Sequence, residues 1–144
     1  MGEGNRGRRR KVVDRSHEPP PDPVYVPPPA HICEETEWTI TSQHGDETHV
    51  RLRRYNHRIV DFAIQQIHMD ADGTRYEIAR IDCCDGAVHR HQFVRSTGED
   101  IYDHRIIRRI PYDNGWQVVQ DEYRSAFELM LAEQDENLRR WRDG

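Results

Sequence analysis

Arg80, Asp82, His89 and His91 are the residues whose types and spacing suit catalysis. Between them lies Asp85-Gly86, a pair strongly preferred in two-residue type I′ hairpin loops. In such a hairpin Cys84 faces Ala87, Asp82 faces His89, Arg80 faces His91 and Ile78 faces Phe93. Side chains alternate along a strand, so all of these share one face of the sheet. A carboxylate opposite a histidine fixes its tautomer and raises its basicity. Strand rise sets His89 and His91 roughly 7 Å apart. Two imidazoles at that separation can straddle a phosphodiester, one taking the 2′-hydroxyl proton and the other protonating the leaving oxygen. Arg80 can bind the phosphate and stabilise its developing charge. The chemistry is metal-independent RNA cleavage without a cofactor.

Two other readings fit the same residues. One is a solvated sheet face with a hydrogen-bonded His–Asp pair, in a chain that has nine histidines. The other is a metal site built on His89-x-His91 and completed by Asp82 or Asp61. His31, Cys33, Cys83 and Cys84 offer a composite zinc set, but no spacing fixes its geometry. A cysteine nucleophile needs a neighbouring histidine; Cys84 falls at the turn and Cys83 on the core side, and neither is activated. No Gly-rich phosphate loop, G-x-S-x-G or kinase signature occurs.

The elements that must position these residues follow from pattern. Trp38-Thr39-Ile40-Thr41 alternates as a strand, and Val50 and Leu52 alternate with arginines in a second. Asn56-His57 breaks the pattern. In the third strand, Ile59 to Met69, Val60, Phe62 and Ile64 fall on one face and Asp61, Ala63, Gln65 and Ile67 on the other. A four-residue turn at Asp70-Ala71-Asp72-Gly73 sets Met69 opposite Thr74, Ala63 opposite Arg80 and Asp61 opposite Asp82. The core faces then agree: Val60, Phe62 and Ile64 join Ala79, Ile81, Cys83, Val88 and Val94. Ser96 to Asp100 is a loop, and Arg105 to Ile110 is a further strand ended by Pro111. After Asp113-Asn114-Gly115 a helix runs to about Arg140, with Trp116, Val119, Tyr123, Phe127 and Met130 in one apolar stripe. Its last turns are polar and project, with Leu138 and Trp141 as a small docking patch. The expected fold is α+β, an antiparallel β-meander of about five or six strands with the C-terminal α-helix packed on one face.

Residues 1–35 form a basic, proline-rich arm, and 36–144 a single sheet-plus-helix domain. Two proline triplets surround Val24-Tyr25-Val26, a composition that forbids a packed core. The arm is expected to be disordered and to make few contacts with the domain. Arg8, Arg9, Arg10 and Lys11 give it a positive run suited to nucleic acid. Lys11 is the only lysine in a chain whose net charge is -5, which argues against a generally basic nucleic-acid coat. Only 35% of residues are apolar and 33% are charged, as expected when part of the chain is exposed. Three cysteines without a C-x-x-C read as reduced and cytoplasmic. No apolar run approaches a membrane span, and no secretory signal follows the basic start.

The run Arg80-Ile81-Asp82, a short turn, then His89-Arg90-His91 resembles the TumE-like small bacterial toxins of toxin–antitoxin modules. Those pair an R-x-D strand, across a turn, with closely spaced histidines. The likeness covers about Ile59 to Phe93. It departs from the family's pattern at the turn, where members carry a histidine and this chain has Cys83-Cys84-Asp85-Gly86. The resemblance implies RNA-directed growth inhibition, with RNA as substrate and an antitoxin or other protein that orders the arm. The alternative function is a non-catalytic adaptor whose arginine- and proline-rich arm engages nucleic acid, a ribosome or a larger assembly.

Overall fold

The computed structural model describes residues 22–42 and 45–144. Six antiparallel strands pair in chain order: β1 (Glu34–Thr41), β2 (Glu47–Tyr55), β3 (Arg58–Met69), β4 (Arg75–Cys84), β5 (Ala87–Gln92) and β6 (Arg105–Arg109). Two helices follow, α1 (Gly115–Ala132) and α2 (Gln134–Asp143). This is the α+β meander expected from the strand patterns. The Arg8–Lys11 run lies outside the described residues. Among the described residues, no helix is long and apolar enough to cross a membrane.

Two hairpins close on paired left-handed residues, Asn56-His57 with φ of 50° and 63°, and Asp85-Gly86 with φ of 49° and 73°. Positive φ at both central positions belongs to the type I′ turn, whose twist matches the strands it joins. The Asp85-Gly86 loop gives the expected register: Cys84 pairs with Ala87, Asp82 with His89 and Arg80 with His91.

The β3–β4 register differs from expectation. Met69 pairs with Arg75, one residue beyond Thr74. A bulge then leaves Ile78 unpaired between the pairs Ile67–Glu77 and Gln66–Ala79. Past the bulge the two offsets together move β4 by an even number of residues, so side chains from Ala79 onward keep their expected faces, while Tyr76 and Ile78 turn to the core. Ala63 faces Asp82 and Gln65 faces Arg80. Asp61 is set apart from Asp82 and pairs with Arg53 on β2; two carboxylates directly opposite would repel. Ile78, expected among the polar side chains, is instead fully buried in the core.

The core lies between the sheet and the helices. Phe62, Ile64, Ile81 and Val88 meet Val119, Ala126 and Met130 there. Tyr123 packs edge-on against Phe62, with ring centroids 5.7 Å apart. Phe127 is half-buried at the margin of this cluster. The expected single helix is broken at Glu133, whose φ of -104° and ψ of 16° leave the α region. Trp141 is 2% exposed. Its ring lies 5.3 Å from that of His68 and 5.2 Å from that of Tyr76. The expected docking patch is therefore core, because the break folds α2 back over β4 and β5.

A buried polar layer receives that break. Gln66 Nε2 donates to Asp46 Oδ2 and to the Gln134 carbonyl, each at 3.0 Å. Asn137 Nδ2 donates to Gln66 Oε1 at 3.2 Å, and Gln92 Nε2 to the Asn137 carbonyl at 3.1 Å. These bonds satisfy groups that a helix end and a sheet interior would otherwise bury unpaired.

The arm segment from Asp22 to Pro29 has no helix or strand, but it is not free of the domain. Tyr25 is 8% exposed, and its hydroxyl donates to the Val60 carbonyl at 2.6 Å. A Cβ on Gly86 would stand 2.9 Å from Val24 Cβ, and one on Gly115 would overlap the Tyr25 ring. Both glycines are sites of close approach, and the expectation that the arm makes few contacts with the domain fails at Tyr25.

Candidate functional site

The sheet face turned away from the helices is a field of paired charges. Arg51 and Arg53 reach Asp61 Oδ2 at 3.0 and 3.3 Å. Arg53 also reaches Glu35 at 3.0 Å, and Arg75 reaches Glu47 at 2.6 Å. Burial pushes the Asp61 carboxyl up, and hydrogen bonding and charge from Arg51, with charge from Arg53, only partly offset it. At the β4–β5 end of this face the histidines collect.

His91 is 3% exposed. Its Nε2 lies 3.0 Å from Asp82 Oδ1, and its Nδ1 lies 2.8 Å from Asp100 Oδ2. Both partners are carboxylates, so the ring is held from both sides. The register expectation put Asp82 opposite His89. The Cα pairing is as expected, but the Asp82 carboxylate reaches diagonally to His91. Its other oxygen lies 3.2 Å from Arg80 Nε, without hydrogen-bond geometry. Arg80 Nη1 donates to Glu77 Oε1 at 2.9 Å, and its guanidinium lies 5.8 Å from the centre of the Phe93 ring. The Phe93 ring is parallel to His91 at 6.2 Å.

His89 and His91 have ring centroids 6.3 Å apart, close to the spacing that strand rise implies. His89 Nδ1 is buried without a hydrogen-bond partner, which marks it as a group worth explaining. A third imidazole joins them. His104 stands 4.9 Å from His91 and 6.5 Å from His89, edge to face with both.

Asp100 builds this corner. Its Oδ1 accepts the N–H groups of Gln92 and Tyr102, and its Oδ2 accepts that of His104, all at 3.0 Å. Burial raises the Asp100 carboxyl, but these N–H donors and His91 outweigh it and hold it below the usual range. Asp103 and His104 follow with φ of 49° and 53°. Two consecutive left-handed non-glycine residues are uncommon, and they turn the chain so that His104 returns over His91.

The structure thus brings Arg80, Asp82, His89 and His91 together and adds Asp100 and His104, which sequence reasoning missed. Their only sequence signal is an Asp followed by Asp-His in a loop, residue types that tolerate turns. Among the described residues, the side chains gathered at metal-ligating distances are His91, Asp100 and His104. Neither His89-x-His91 with Asp82 or Asp61, nor His31 with the cysteines, is gathered in this way. The three cysteines are unpaired with one another. Burial pushes the Cys83 thiol far above its ordinary range, with the Asp61 charge adding, and burial also raises Cys84. Both shifts oppose thiolate formation.

Beside His89 runs the edge strand β6, exposed throughout and carrying Arg105, Arg108 and Arg109. The Arg105 guanidinium lies 3.9 Å from the centre of the Tyr102 ring. Comparison with protein-family models, with curated proteins and with solved structures gave no match.

Proposed function

We propose that this chain is a small RNA-directed protein, toxin-like in kind, that cleaves RNA at the histidine face of β4 and β5 without a metal ion. The observation that carries this reading is a half-buried imidazole, His89, and an exposed one, His104, set 6.5 Å apart around a buried third. That separation spans a phosphodiester. His89 Nε2 takes the 2′-hydroxyl proton and His104 protonates the leaving oxygen; both nitrogens are without side-chain partners among the described hydrogen bonds. His91, with both nitrogens engaged, is a positioning residue that holds the His104 ring. Asp82 and Asp100 fix His91 in turn. Arg80 supports Asp82 and lends positive charge to the phosphate. Arg109 on β6, paired with Ala87 on the face that carries His89, offers a further phosphate contact. The Arg8–Lys11 run adds sequence-independent attraction to the backbone.

The test is incubation of the full chain with a single-stranded RNA in excess chelator, beside the same sequence as DNA. Cleavage of the RNA alone is expected, because the mechanism needs a 2′-hydroxyl. Intact RNA, or equal cleavage of the DNA, contradicts the proposal.

A further inference from the structure

We infer that His91, Asp100 and His104 form a binding site for a single divalent transition-metal ion of the Zn²⁺ or Co²⁺ class. One nitrogen of each ring and one carboxylate oxygen lie within 4.8 Å of one another. Ligands about 2.0–2.2 Å from a tetrahedral zinc ion stand roughly 3.5 Å apart, so modest side-chain adjustment closes this set on an ion. The His91 nitrogen on this side is Nδ1, which faces Asp100 Oδ2 at 2.8 Å. An ion bound to both atoms replaces this direct contact and moves them apart.

The surroundings are those of a supported ligand set. His91 Nε2 is held by Asp82 at 3.0 Å, and a carboxylate on the far nitrogen of a ligating histidine fixes the ring and raises its donor strength. Three backbone N–H groups fix the Asp100 carboxylate from the other sides. The left-handed Asp103-His104 pair stores backbone energy whose visible result is to place His104 over His91. His91 is buried, Asp100 half-buried and His104 exposed, so the site can be entered and its outer coordination position faces solvent. Two nitrogens and one oxygen suit a borderline transition ion, whereas Mg²⁺ and Ca²⁺ take oxygen ligands.

Asp82 is a positioning residue in this site, and His89 lies outside it. The inference does not rest on RNA cleavage. Where cleavage occurs, an ion held by His104 removes the proposed acid, so the loaded protein cuts more slowly.

The experiment titrates the full chain with Co²⁺ alone, followed by visible and near-ultraviolet absorption, and then displaces Co²⁺ with Zn²⁺. One Co²⁺ per chain is expected, with visible ligand-field bands and no thiolate charge-transfer band. His104→Asn should weaken binding at least tenfold; the residue is exposed, and asparagine tolerates its left-handed backbone. Asp82→Asn should weaken it roughly 10–100-fold at unchanged stoichiometry, the usual effect of an outer partner. His57→Asn, also exposed and left-handed, should leave affinity unchanged. No Co²⁺ binding at millimolar concentration, a thiolate band, or an affinity indifferent to His104→Asn overturns the inference.

Discussion

His91 is the most constrained residue of the cluster. Both ring nitrogens face carboxylates and the ring is 3% exposed. His91→Ala leaves Asp82 and Asp100 short of a buried donor, which costs about 1–3 kcal/mol; urea denaturation checks this. Asp100 couples the corner to pH. Its folded carboxyl is held below the ordinary aspartate value of 3.8. A depressed folded value means that its stabilising effect is complete above the unfolded value and is lost as pH falls through the folded one. Wild type should therefore lose stability on acidification below about pH 4, and Asp100→Asn, weaker at neutral pH, should lose less over that window. Melting temperatures across pH 2–7 decide it, and parallel curves for the two proteins would contradict it. At this scale part of the site was legible. Period-two alternation and one Asp-Gly turn place Arg80, Asp82, His89 and His91 together. Asp100 and His104 come from an irregular loop whose path depends on side chain-to-backbone bonds and left-handed residues, and alternation carries no trace of those.

The elements show the same division. Strand faces could be read because each β-hairpin buries one side, and the β3–β4 offset spared the Arg80–Asp82 face because past the bulge it is even. The bulge at Ile78 and the break at Glu133 could not be read, since both depend on the polar layer of Asp46, Gln66, Gln92 and Asn137, which are far apart in sequence. The same layer explains why polar α2 still buries Trp141. Trp141→Ala should cost roughly 3–5 kcal/mol, measured by denaturant unfolding; a value near zero would free α2 from the core. The arm has its own anchor. Tyr25→Phe removes the 2.6 Å bond to the buried Val60 carbonyl and should cost about 1–3 kcal/mol. Gly86→Ala combines a φ of 73° with a Cβ 2.9 Å from Val24, so it should destabilise by at least ~1 kcal/mol. If both variants melt with wild type, the segment around Tyr25 is not part of the fold.

Across the whole molecule, the two sides of the sheet do different work. One side and its helices form the core, and the other carries paired charges ending in three imidazoles at the β4–β5 end, with Arg109 of β6 alongside. The proposed RNA cleavage treats His89 and His104 as one unit, and that unity is what kinetics can examine. The most direct measurement is the initial rate of RNA cleavage, in chelator, by wild type, His89→Ala, His104→Asn and the double variant. Each single change should lower the rate by roughly 10²–10⁴-fold, the scale of acid–base groups. The double variant should be little slower than either, because residues acting as a unit are strongly non-additive. Single variants that cleave at the wild-type rate would contradict the account.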